Sequence, residues 1–207
     1  MDTEDTEVMA SIYQKQLSNK NYAEFIKKMP VIGIWDDHDF GMNNAGKEFS
    51  KKVESQKLFL DFMNEPLDSQ RRKQEGIYTT YTYGLEGNQV RFILLDVRYH
   101  RDEPNKKDSD ILGEEQWEWL HSVLNSNKAQ VTFIASGISV LSGIIPTSEE
   151  WARFTDSKYK LFQMLRKHKT EGVMILTGDR HFSGYLKRWY WGTTYHELSK
   201  SKKWILK

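Results

Sequence analysis

Four short apolar runs constrain how this 207-residue chain can fold: Val31-Ile32-Gly33-Ile34, Phe92-Ile93-Leu94-Leu95, Val131-Thr132-Phe133-Ile134-Ala135 and Val173-Met174-Ile175-Leu176. Each is too continuous for a half-exposed strand and far too short to cross a membrane, so each reads as a central strand covered on both faces. Each also stops abruptly in polar residues or glycine. This pattern predicts an α/β domain, and in open α/β sheets chemistry collects at the carboxyl ends of the strands. The length suits one domain spanning residues 1–207.

The segments between the runs support that reading. Glu7 to Met29 reads as helix, broken around Ser18 to Asn21 and closed by Pro30. Phe49, Val53, Leu60 and Met63 recur at helical spacing until Pro66. Tyr78 to Gly84 alternates as a strand, and Gly87-Asn88 predicts a hairpin turn into a strand over Val90 to Val97. Glu114 and Glu115 open a helix marked by Trp117, Leu120 and Leu124, and a further helix contains Phe162, Met164 and Leu165. The aromatic and basic stretch from Gly184 onward carries no pattern that assigns it.

Two strand ends are the richest in chemistry. The first run leads into Trp35-Asp36-Asp37-His38-Asp39-Phe40-Gly41, and the last into Thr177-Gly178-Asp179-Arg180-His181. Acids packed this closely are hard to ionise together unless a cation, an arginine or backbone N–H groups offset them. With no cysteine in the chain, any metal must be held by His, carboxylates, amides or water, which points to hard or borderline cations. In the first cluster the functional reading is a metal ligand beside a proton donor, His38; the plain alternative is a solvated turn whose Asp caps a helix. In the second, Asp179 and His181 would point the same way if the segment were extended; the plain alternative is a turn whose His packs on Phe182. Arg98, Arg101 and Arg180 can either contact phosphate or pair with an acid.

Charge narrows the partners. Thirty basic against 29 acidic residues leave a net charge of +1, and no Lys/Arg run is interleaved with aromatics, so no nucleic-acid-binding patch is expected. No transmembrane segment is expected either, and the first residues do not resemble a signal peptide, which leaves the compartment and the oligomeric state open.

In ordered blocks along nearly its whole length the chain resembles the PhoD-like, or alkaline phosphatase D, branch of the calcineurin-like metallophosphoesterases. The blocks are Pro30 to Gly41, Leu94 to Arg101, Leu112 to Leu120, Ser136-Gly137 and Leu176 to Phe182. The resemblance implies a β-sandwich flanked by helices and hydrolysis of phosphate mono- or diesters by metal-activated hydroxide. Two or more divalent or trivalent cations, drawn from calcium, iron or manganese, would serve that reaction. It further implies Asp37, Asp179 and His181 as metal ligands, His38 as the catalytic proton donor or phosphate contact, and Arg98 and Arg180 as substrate-binding residues. Family members carry an earlier Asp-containing strand end and a Gly-Asp motif, both upstream of the block ending at Pro30. The sequence therefore reads as a shortened form, incomplete at its N-terminus. Asn44 stands where the family usually has Asp, and Ser139 where Gln is common. A non-catalytic binding or regulatory protein on the same fold is the competing expectation.

Overall fold

The computed structural model describes residues 1–143, 149–170, 172–181 and 183–199. The chain runs through α1 (Thr6–Leu17), α2 (Lys20–Lys28), α3 (Asp37–Phe40) and α4 (Lys52–Phe62), then β1 (Thr79–Tyr83) and β2 (Val90–Leu95). It continues through α5 (Glu114–Asn125), β3 (Val131–Ser136), α6 (Thr155–Lys167), β4 (Val173–Thr177), β5 (Gly184–Tyr190) and β6 (Thr193–Ser199). The break in the first helical stretch has a local cause. Ser18 caps the end of α1, and the Asn19 side chain accepts the first free N–H groups of α2, from Asn21 and Tyr22.

Three of the four apolar runs form the centre of one six-stranded sheet, ordered β1-β2-β3-β4-β6-β5. Strands β2, β3 and β4 are parallel, with α5 and α6 in the two connections, as parallel neighbours require long crossovers. The antiparallel strand β1 joins β2 through the expected turn, in which the Asn88 N–H donates to the Leu85 carbonyl.

The fourth run corrects the expectation. Val31 to Trp35 is irregular and belongs to no strand of the sheet. Its polar groups are taken by side chains instead: the Gly33 carbonyl accepts from the Arg71 guanidinium at 3.0 Å, and the Trp35 indole N–H donates to Asp96 Oδ1 at 2.8 Å. The apolar character is used for packing, since Trp35 is fully buried in a small core with Phe40, Phe59, Leu60 and Tyr99.

The stretch from Gly184 resolves into a hairpin. Trp191 and Gly192, both at positive φ, link β5 to β6, the combination a tight two-residue turn needs. Strand β6 then pairs parallel with β4, and β5 becomes the outer edge. The larger core lies between one sheet face and the two crossover helices, where Ile93, Ile134 and Ile175 meet Trp117, Leu120, Leu161, Phe162 and Leu165.

Candidate metal centre

The carboxyl ends of the parallel strands converge with the segment after Trp35. Strand β3 ends in Ser136-Gly137 and β4 in Thr177-Gly178, and the Gly178 N–H donates to the Gly137 carbonyl at 3.1 Å. Asp36 lies against Gly137 so closely that a Cβ there would stand 2.7 Å from Asp36 Oδ1. The absence of a side chain at Gly137 therefore lets Asp36 and Asp37 reach the end of β4. Asp179 follows with φ of 54°, and His181 with φ of 55°, left-handed conformations that side chains other than glycine's seldom adopt. The second cluster is thus curled rather than extended.

This arrangement places one oxygen each of Asp36, Asp37 and Asp179 within 4.8 Å of one another. Asp37 is buried and well supported, accepting the His38 N–H at 2.8 Å and the Asn44 N–H at 3.0 Å. Asp36 accepts from Arg98 Nε at 2.9 Å and from its terminal nitrogen at 2.6 Å. Arg98 has no exposed surface and also meets Glu149 at 2.6 Å. Arg101 joins Glu149 and the Asn44 carbonyl, so both arginines brace the backbone and acids behind the cluster.

Protonation follows from this wiring. Burial pushes Asp36 up, with Arg98 partly offsetting it. Burial acts on Asp37 in the same sense, but Arg98 and the N–H groups of Asn44 and His38 outweigh it and leave the carboxyl below its ordinary range. Asp179 is pushed up to about 7, first by burial and then by the negative charges of Asp36 and Asp37. One buried guanidinium does not balance three carboxylates, and a hard cation would.

Of the residues singled out in the sequence, Asp37 and Asp179 meet directly. His181 stands beside Asp179, its Nε2 3.5 Å from Oδ1, with 56% of the side chain exposed. His38 is half-exposed at the cluster's edge, Nε2 4.0 Å from Asp37 Oδ2, and its Nδ1 lies 2.5 Å from the Met1 carbonyl oxygen. A carbonyl acceptor places a proton on Nδ1. Arg98 and Arg180 take the ion-pair role the sequence allowed: Arg98 binds Asp36 and Glu149, and Arg180 binds the fully buried Glu150 at 3.0 Å. The packing of His181 on Phe182 lies outside the described residues. Sequence reasoning named Asp36 only as part of its cluster and missed Glu149, which lies 48 residues from Arg101 and gives no local signal.

A family model described as a PhoD-like phosphatase matches residues 10–197. The chain belongs to that family. "Alkaline phosphatase D" of Bacillus subtilis (strain 168) is 26% identical over 185 residues, covering 74% of this chain and 31% of that protein. A solved structure titled "Structure of PhoD" superposes with a TM-score of 0.67 at 20% identity, covering 81% of this chain and 39% of the other. This PhoD-like chain therefore spans about a third of the length of the curated relative and shares the mixed α/β fold of the solved one.

Proposed function

We propose that this PhoD-like chain uses Asp36, Asp37 and Asp179, with His181 beside them, to hold divalent or trivalent cations for the hydrolysis of phosphate mono- or diesters. The observation that carries the reading is the meeting of three carboxylates at the carboxyl ends of parallel strands, with Asp179 pushed up to about 7. Oxygen-rich donors of this kind suit calcium, manganese or iron. Such cations would supply positive charge for the phosphoryl oxygens and acidify water at the site.

The remaining work falls to the chain's own side chains. His38, exposed and next to Asp37, is placed to protonate the leaving oxygen. Arg98 keeps Asp36 in place through two hydrogen bonds to one oxygen, and so acts as a positioning residue. Arg101 holds the Asn44 carbonyl, and the Asn44 N–H in turn holds Asp37. Substrate contact by Arg98 or Arg180 would require either guanidinium to leave its acid, at the cost of exposing a buried charge.

The test is turnover of p-nitrophenyl phosphate and bis(p-nitrophenyl) phosphate by the purified chain with added manganese, calcium or iron, with and without chelator. We expect chelator-sensitive hydrolysis that Asp37→Asn or Asp179→Asn lowers by about 100-fold or more. His38→Gln should lower it by roughly 100-fold while leaving cation affinity intact. Absence of chelator-sensitive turnover with all three cations would sink the reading.

A further inference from the structure

Glu149 and Glu150 are neighbours in sequence, yet they serve different parts of the carboxylate cluster. Glu150 is extended, with φ of −156° and ψ of 153°, so consecutive side chains here leave the backbone on opposite sides. Glu149 meets Arg98 at 2.6 Å and also binds Arg101, both of which lie behind Asp36 and Asp37. Glu150 takes the guanidinium of Arg180, the residue next to Asp179, at 3.0 Å. This second pair is deeply buried, with no exposure of Glu150 and 8% of the Arg180 side chain exposed. The backbone that carries Glu150 is fixed by other means. Glu150 forms a parallel bridge with Ser139, the Trp151 N–H donates to the Ser139 carbonyl at 3.0 Å, and Ser139 Oγ donates to buried Glu197 at 2.5 Å.

A buried ion pair adds little net stability to a fold, because desolvating both charges offsets most of their attraction. What it does fix is where each charge points. Asp179 stands among two other acids, and the residue following it is an arginine. A guanidinium fork matches a carboxylate in two parallel hydrogen bonds, so an arginine there is a direct rival to any cation. We propose that Glu150 is a positioning residue that holds Arg180 away from Asp179 and so keeps the three-carboxylate cluster open to cations, an inference that rests on the reading of that cluster as a metal centre. Glu149 does the same for Arg101, which it holds beside the Asn44 carbonyl. Arg98 is divided between Glu149 and Asp36, and its charge steadies the cluster from behind. Without Glu150 the buried charge of Arg180 must find another acid, and Asp179 adjoins it in the chain.

Calorimetric titration of the purified chain with manganese tests this without any need for turnover. Glu150→Gln removes the charge and keeps the shape, and its cation dissociation constant should rise by about tenfold or more, as for other groups that support metal ligands. Adding Arg180→Gln to that variant should return the constant to within about threefold of wild type, because the rival is gone. Rescue is the readout that a merely structural role would not give: an acid that only supports the fold leaves a loss that Arg180→Gln deepens or does not change, and that result overturns the proposal. Glu150→Asp keeps the charge at a shorter reach and should lose less than Glu150→Gln, which reads the same effect should the glutamine variant unfold. Glu149→Gln should also weaken cation binding, but Arg180→Gln should not repair it, and repair of both losses overturns the assignment of Glu150 to Arg180. Unchanged affinity in Glu150→Gln overturns it as well. A wild-type chain that binds none of manganese, calcium or iron overturns the metal-centre reading and this inference with it, whereas the other outcomes leave that reading standing.

Discussion

Asp96 and Asp179 each follow a parallel strand of the same sheet, yet their surroundings differ sharply. Asp96 is buried and collects four donors: the Trp35 indole at 2.8 Å and the backbone N–H groups of Ile77, Arg98 and Tyr99 at 2.9, 2.9 and 3.0 Å. Glu197, fully buried, is similar, accepting from Ser139 Oγ and from the N–H groups of Val140 and Leu141. Asp179 has two neighbouring acids and, among the described residues, only the His181 ring within ion-pair reach. A carboxylate surrounded by donors is a structural joint, because the fold itself supplies the compensating dipoles. One set among other carboxylates is compensated only when something positive arrives, and there stability yields to function.

The largest effect that bears on this contrast should come from the satisfied acid. Asp96→Ala leaves four buried donors without an acceptor, and a loss of about 3–5 kcal/mol is expected. Urea unfolding of the cation-free protein checks it. A loss below about 1 kcal/mol, the worth of a single ordinary hydrogen bond, would mean that Asp96 is not the joint its contacts suggest.

The next effect has the opposite sign. Cation at a hundred times its dissociation constant should raise wild-type stability by about 2.7 kcal/mol, and Asp179→Asn should abolish that rise. Without cation, Asp179→Asn should be more stable than wild type at neutral and alkaline pH, because the neutral amide removes a charge that Asp36 and Asp37 oppose. Thermal unfolding with and without manganese reads both. Equal stabilisation of wild type and variant by cation would remove Asp179 from the site.

A pH series sharpens the point. The folded pKa of Asp179, about 7, lies above its ordinary value of 3.8, so the folded state binds this proton more tightly than the unfolded chain does. Its contribution to stability is therefore fully present below the ordinary value and is lost as pH rises through about 7. Asp37, held low, works in the other direction: its contribution is present above its ordinary pKa and disappears as pH falls through the folded one. The measurement is thus the difference between wild type and Asp179→Asn, which should grow from acid to neutral pH and then level off. A flat difference would show that Asp179 ionises normally.

How far the sequence foretold this site depends on the range of each interaction. Continuous apolar runs identify β2, β3 and β4, but the cover they predict on both faces is met on one: Ile93, Ile134 and Ile175 are buried against α5 and α6, while Phe92, Phe133 and Met174 on the other face are only half-buried. The same signal misassigns Val31 to Ile34, since an apolar run reports burial but not whether a hydrogen-bonding neighbour stands beside it. The β5–β6 hairpin escaped because exposed Tyr185 and Trp189 are interspersed with polar residues while aromatic Tyr195 is buried, so no apolar run forms, and its local mark is the Trp191-Gly192 turn. At the site, Asp37 and Asp179 were legible as acids just beyond apolar runs. Their compensation was not, because Arg98 reaches Asp36 across 62 residues and Arg101 reaches Glu149 across 48.

The smallest expected effect tests how closely the strand ends must approach. A Cβ at Gly137 would lie 2.7 Å from Asp36 Oδ1 and 3.0 Å from the Trp35 carbonyl oxygen. The carbonyl is backbone and cannot swing aside, and the carboxylate is gripped by Arg98, so the segment as a whole must retreat. Gly137→Ala should therefore cost about 1–2 kcal/mol as overpacking and weaken cation binding about tenfold by moving Asp36 off its oxygen position. Gly178→Ala should be milder, its Cβ meeting, among the described residues, only the Gly137 carbonyl at 3.0 Å, and Gly143→Ala, with no described residue within 4 Å, serves as the control. Urea unfolding and calorimetric cation titration separate the two consequences. If Gly137→Ala lowers stability but leaves cation affinity untouched, Asp36 belongs with the structural acids and the cation is held without it, since a ligand displaced by a few tenths of an ångström cannot bind as before.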